Sequence, residues 1–182
     1  VQGIRNGDCD MAIAGGVNVI SSPMLHVSFG KAGMLSEDGS CKSFDKDANG
    51  YVRGEGVGAI LLKNLRQAKK DKDHIYAVIK ATAVNHGGYA NTLTTPNPKA
   101  QTEVLVNAYE KANVDPTTIS YIETHGTGTK LGDPIEINAL KNAFGILCSK
   151  WNKKVKTCHC GLGTIKSNMG HLEAAAGIAS TI

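Results

Sequence analysis

Apolar and polar positions along this chain alternate between the two-residue period of strands and the 3.6-residue period of helices. Met11–Ala14, followed by Gly15-Gly16, is a short apolar run and reads as a buried strand, and Val57–Leu62 reads as a second strand. Ile75–Val84 alternates β-branched with other residues and predicts a long strand; Ile119–Glu123 and Gly161–Ile165 predict two more. Helices fall between them. Ser22-Pro23 supplies an N-cap and first-turn proline for a helix running toward Gly30, and Leu65–Lys72 is a charged helical segment. Asn97-Pro98 opens a helix with Ala100, Val104, Ala108 and Ala112 at i+4 spacing. Asp133-Pro134-Ile135-Glu136 combines an acidic cap, a proline and a glutamate at the third position, opening a helix expected to end near Gly145. Residues 36–56 are rich in Gly, Asp, Asn and Ser and read as loop. Strands separated by helices indicate a layered α/β domain.

The two ends read as parts of helices. Arg5 and Gly7 have the character of a last turn and its C-terminal glycine, and Leu172–Ala179 is helix-forming with no stop signal before Ile182. The expectation is an internal fragment of a single domain.

Composition narrows the class. Lys+Arg 20 against Asp+Glu 16 gives +4, too mild an excess, without aromatic or Arg clustering, to suggest nucleic acid. Hydrophobic content of 41% with 20% charge is that of a folded domain. The longest apolar runs, Ala59–Leu62 and Ala174–Ile178, fall far below the ~18 residues of a membrane span, and no charged-then-apolar leader marks secretion. Five cysteines without framework spacing fit reduced thiols and a cytoplasmic setting.

Two strand–loop–helix units each present a histidine. In Glu123-Thr124-His125-Gly126-Thr127-Gly128-Thr129 the histidine falls where a strand ends, the place where α/β sheets bind ligands. Thr127 and Thr129 offer hydroxyls to an amide- or hydroxyl-bearing ligand. In Lys166-Ser167-Asn168-Met169-Gly170-His171-Leu172-Glu173 the histidine is expected in the first turn of a helix, where positive potential lowers its pKa. A neutral imidazole there can donate a hydrogen bond to a developing oxyanion. Lys166 and Glu173 are expected to pair and fix this loop. His26, His74, His86 and His159 lack such a setting and read as structural, with Asn85-His86-Gly87-Gly88 as a loop beside the site. A dinucleotide turn fails on spacing, because Gly126, Gly128 and Gly132 form G-x-G-x-x-x-G with no acid about 20 residues on. Cys158-His159-Cys160 with Cys148 lacks the second ligand pair of a zinc site, and the basic runs Arg66–Lys72 and Lys150–Lys156 read as solvated faces.

These residues resemble a known family. The Thr124–Thr129 segment followed by Gly132-Asp133-Pro134-Ile135-Glu136 is similar to the first histidine motif of β-ketoacyl synthases. Lys166–Gly177 is similar to the second, Ser43–Gly56 to the loop between them and the nucleophile, and Ala14–Asn18 to the strand after the nucleophile helix. The G-T-G-T and G-D-P-I-E forms resemble modular polyketide synthases. Asn85–Gly88 with Thr95–Gln101 resembles the branch whose acyltransferase acts in trans. The resemblance implies a thiolase-type layered α-β-α-β-α fold, here partial, in a homodimer of a cytoplasmic synthase with neighbouring synthase domains. It implies decarboxylative Claisen condensation of an acyl thioester with malonyl carrier protein during polyketide extension. Nothing is bound directly; the phosphopantetheine arm of acyl carrier protein delivers the substrates, and neither nucleic acid nor membrane is a partner. His125, His171 and Lys166 take catalytic roles by this resemblance, Thr127 and Thr129 hold the pantetheine amide, and Glu173 supports the second loop. The nucleophilic cysteine and the C-terminal end of the domain are expected outside these residues, so the fragment alone is expected to be inactive. Alternatives are a fatty-acid β-ketoacyl-carrier-protein synthase, a non-extending or non-catalytic ketosynthase-like partner, and a coenzyme A-dependent thiolase.

Overall fold

A computed structural model describes residues 1–90 and 95–182 of the chain. The elements, numbered in chain order, are α1 (Gln2–Asn6), β1 (Met11–Asn18), α2 (Met24–Lys31), β2 (Gly56–Lys63), α3 (Leu65–Asp71), α4 (Pro98–Ala112), β3 (Tyr121–Glu123), α5 (Gly132–Lys150), β4 (Gly161–Gly163), α6 (Lys166–Met169) and α7 (Ala176–Ala179). A 3₁₀ turn at Glu173–Ala175 precedes α7.

β1 and β2 form an antiparallel ribbon paired from Met11↔Lys63 to Asn18↔Gly56. One face packs against the Glu173–Ala179 segment. Gly16 is needed there: a Cβ would lie 2.9 Å from the Ala174 carbonyl oxygen and 3.1 Å from Ala175 Cα. The other face, bearing Met11, Ile13, Val17, Val57 and Leu61, is exposed. β3 and β4 pair in parallel, joined through α5, which packs on α4. Val106, Ala143 and Leu147 form the core of that helix pair, flanked by Leu105 and Tyr109. Tyr109 also meets Phe144 edge-to-face at 5.6 Å.

Local signals place several ends as expected. The Asn97 side chain accepts from the Lys99 and Ala100 amides at 3.0 and 3.3 Å and opens α4, and Gly7 closes α1 at φ 83°. Four expectations change. β1 runs through Gly15-Gly16 to Asn18, because the ladder to β2 continues across both glycines. Ile75–Val84 enters no ladder among the described residues; its alternation is a side-chain property, and a strand needs a hydrogen-bonded neighbour as well. α5 passes Gly145 and ends at Lys150, since Gly145 keeps a helical place and only loses propensity. The terminal helix is broken: α6 stops at Gly170, and His171 lies in extended backbone ahead of the 3₁₀ turn.

Candidate active site

The first histidine loop hangs from β3 and is tied to α5. The Thr124 amide and hydroxyl both donate to the Gly163 carbonyl at 2.8 Å, continuing the β3–β4 pairing by one residue. His125 follows. Its amide and that of Gly126 donate to the two oxygens of Glu136 at 2.7 and 2.9 Å. Asp133, 4% exposed, accepts from Gly128 N at 3.2 Å and Phe44 N at 2.7 Å. The acids read as a helix cap therefore turn away from the helix. α5 begins at Gly132 with no side-chain cap, and Asp133 and Glu136 instead satisfy loop amides that would otherwise be orphaned. Gly128 closes the turn at φ +69°, and a Cβ there would stand 3.0 Å from Lys42 N. Ser43 and Gly50 complete the clamp by donating to the Gly126 and Gly128 carbonyls at 2.6 and 2.9 Å.

Thr127 and Thr129 face each other, their hydroxyl oxygens 3.1 Å apart, and Thr129 accepts from Gly132 N at 3.2 Å. Thr127 is buried and Thr129 half-buried.

The second histidine is held by the 51–54 segment. His171 N donates to Val52 O at 2.7 Å, and Gly54 N donates to His171 O at 2.9 Å. The Glu173 amide donates to His171 Nδ1 at 2.8 Å. A neutral imidazole with an accepting Nδ1 carries its proton on Nε2, so the free corner of the ring is a donor. The Tyr51 ring lies 5.1 Å away on another side.

The two imidazoles converge. Their centroids are 5.4 Å apart and their planes 85° to one another. Both are held neutral. Desolvation lowers the His171 pKa to about 4, with the cost of charging both rings together and the charge of Lys166 adding to it and Glu173 opposing. A lowered pKa was expected; its leading cause is burial, with Lys166 adding to it, since His171 does not lie in a helical first turn. His125 is accessible over much of its surface, yet the protein atoms around its imidazole are enough for desolvation to lead a downward shift. Lys166 adds to that shift, while Glu136 and Asp133 oppose it. Lys166 itself is 3% exposed, and burial lowers its pKa against the pull of Glu123 and Glu136.

The expected Lys166–Glu173 pair does not form. Glu173 is gripped by Arg53, Nε to Oε1 at 2.5 Å and Nη2 to Oε2 at 2.9 Å. Arg53, Asp133 and Glu136 are the functional neighbours that a linear reading passes over. Asn85–Gly88 is tied to the start of α4, through Asn85 to Ala100 O at 2.7 Å and Asn97 to Gly87 O at 2.7 Å. Among the described residues no group of three or more His, Cys, Asp or Glu is arranged to hold a metal.

A donor pair of this kind, on two loops closed by Gly-Thr and Gly-His turns, invites comparison with known proteins. The family model "Beta-ketoacyl synthase, C-terminal domain" matches residues 76–182, and "Beta-ketoacyl synthase, N-terminal domain" matches residues 1–68. The chain belongs to the β-ketoacyl synthase family. It is 57% identical to polyketide synthase PksN of Bacillus subtilis over 100% of its own length and 3% of that protein's. It is 48% identical to 6-methylsalicylic acid synthase of Penicillium expansum over 98% of itself and 10% of that protein. Among solved structures it is similar to the ketosynthase from module 6 of the bacillaene synthase of Bacillus subtilis 168, with TM-score 0.92 and 46% identity over 99% of this chain and 31% of that one. An oxazolomycin ketosynthase domain of Streptomyces albus JA3453 gives TM-score 0.91 and 44% identity, over 99% and 30%. The chain thus spans under a third of these ketosynthases, and its fold is that of their thiolase-type architecture.

Proposed function

We propose that these residues form the decarboxylating half of a ketosynthase active site in a modular polyketide synthase of the trans-acyltransferase type. The observation that carries this is the pair of neutral imidazoles 5.4 Å apart, close enough for both to reach one oxygen. An acyl chain is first transferred from carrier-protein phosphopantetheine to a cysteine supplied by the part of the domain outside these residues. The malonyl thioester on a second carrier then loses carbon dioxide: the bond to its carboxylate breaks and the electron pair moves into an enolate. Negative charge gathers on the thioester oxygen, where Nε2–H of His171 and a ring N–H of His125 donate to it. The enolate carbon attacks the acyl thioester, the new carbon–carbon bond forms, and the cysteine leaves as thiolate. Neutral donors suit this role because they polarise the oxygen without transferring a full proton.

Lys166 is a buried positive charge that adds to the desolvation keeping both rings neutral. Thr127 and Thr129 hold the pantetheine amide, each hydroxyl having an unused lone pair or proton in its present bond. Glu173 supports the second loop. Acyl carrier protein, a second ketosynthase copy as homodimer and neighbouring synthase domains are the partners, in the cytoplasm. Among the described residues no helix is long and apolar enough to cross a membrane.

In the complete ketosynthase domain, His125→Ala is expected to lower malonyl-carrier decarboxylation about 10²–10³-fold. Acylation of the cysteine, followed by mass spectrometry, should persist. Undiminished decarboxylation in that variant overturns the assignment.

A further inference from the structure

We propose that Arg53 is a positioning residue for His171, acting through Glu173, and this rests on the reading of His171 as an enolate donor. The side chain of Arg53 is 3% exposed, and its bidentate bond to Glu173 crosses 120 positions of sequence. What it grips is not an ordinary carboxylate. Glu173 has φ +44°, a left-handed backbone conformation that is unfavourable for a residue with a Cβ and persists only where surrounding contacts enforce it. Its amide donates to His171 Nδ1, 2.8 Å away. The His171 backbone is held separately by Val52 and Gly54, so releasing the Glu173 carboxylate lets that residue shift and draws its amide off the ring. Nδ1 would then be free to take the proton, and Nε2 would lose its donor role.

Every approach to Glu173 supports the same geometry. Arg53 is bonded to Glu173 at two atoms, while the backbone of Arg53's neighbours Val52 and Gly54 clamps both polar groups of His171. Asn18 also interacts with the Glu173 carboxylate and donates to Gly54 O at 2.7 Å, tying β1 to the same 52–54 segment. The Arg53 guanidinium lies 5.4 Å over the Phe29 ring, a further contact on the same group. A lysine keeps the charge at this position but cannot reproduce two parallel bonds to one carboxylate.

The test uses the complete ketosynthase domain and reads two partial reactions, acylation of the cysteine and decarboxylation of malonyl carrier protein. Arg53→Lys and Glu173→Ala are each expected to lower the decarboxylation kcat about 10- to 100-fold, with KM for malonyl carrier protein and the acylation rate held near wild type. Glu173→Gln keeps one acceptor for the Arg53 fork and loses the other, so its decarboxylation is expected to fall between wild type and Glu173→Ala. Where Arg53→Lys does not fold, the Glu173→Ala and Glu173→Gln pair decides alone. Wild-type decarboxylation in Glu173→Ala overturns the inference. So does an equal loss of acylation and decarboxylation, which marks a merely structural role. His171→Ala serves as the control: unchanged decarboxylation there would defeat the reading of His171 itself, whatever the Arg53 and Glu173 variants do.

Discussion

The two histidine loops bring their rings to within 5.4 Å by different holds. The His125 loop is fixed through its backbone: Glu136 and Asp133 bind four amides between them, three of the loop and one of Phe44. Among the described residues the His125 imidazole has the His171 ring beside it and no hydrogen-bond partner of its own. His171 is fixed at the ring as well, by the Glu173 amide on Nδ1. The first hold sets where a donor stands; the second also sets which nitrogen donates. One loop is therefore a matter of stability and the other of protonation state.

That contrast breaks in different ways. Asp133→Ala should be the most damaging to the fold, since it strands the amides of Gly128 and Phe44 beneath a buried site; a loss of about 2–4 kcal/mol is expected from thermal or urea unfolding of the complete domain. A matching loss of decarboxylation with no loss of stability would show that the acid acts on chemistry instead.

Lys166→Met should sharpen the electrostatic side. Its charge lowers the pKa of both imidazoles, so removing it is expected to raise both, as read by NMR titration of the ring protons. Stability follows the same groups. Between about pH 6.5 and about 4 the unfolded His171 binds a proton that the folded one refuses, so wild-type stability falls as pH falls through that window. With Lys166→Met the window narrows from its acid end, and unchanged titration would remove Lys166 from the account.

The smallest effect lies far from both loops. Asn64 accepts from Arg66 N at 2.9 Å and caps α3; Asn64→Ala is expected to cost about 1 kcal/mol with decarboxylation unchanged. A change in activity there would mean that the loops are coupled to the whole sheet.

Much of this was legible in the residues. His125 and His171 stand out because each follows a strand signal and sits among turn-forming residues, and their likeness to two family motifs gave them a common purpose. Asn97-Pro98 announces α4 because a cap is a local event. What was hidden is long-range. Asp133 and Glu136 have the spacing of a capping box, and only the folded loop shows that its amides lie nearer than the helix's own. Lys166 and Glu173, seven positions apart, look like natural partners, yet Arg53 reaches Glu173 from the segment ahead of β2 with a fork that a lysine lacks. Ile75–Val84 has the alternation of a strand, and alternation carries no information about whether a neighbour lies alongside. The break at Gly170 was equally hidden, because Leu172–Ala176 is a run of strong helix formers.

The central claim is that two uncharged rings donate to one enolate oxygen, and side-chain nitrogen NMR of the complete domain at pH 7 tests it most directly. The account predicts neutral signals for both His125 and His171, with the His171 proton on Nε2. Imidazolium signals from both rings, or a His171 proton on Nδ1, would contradict it.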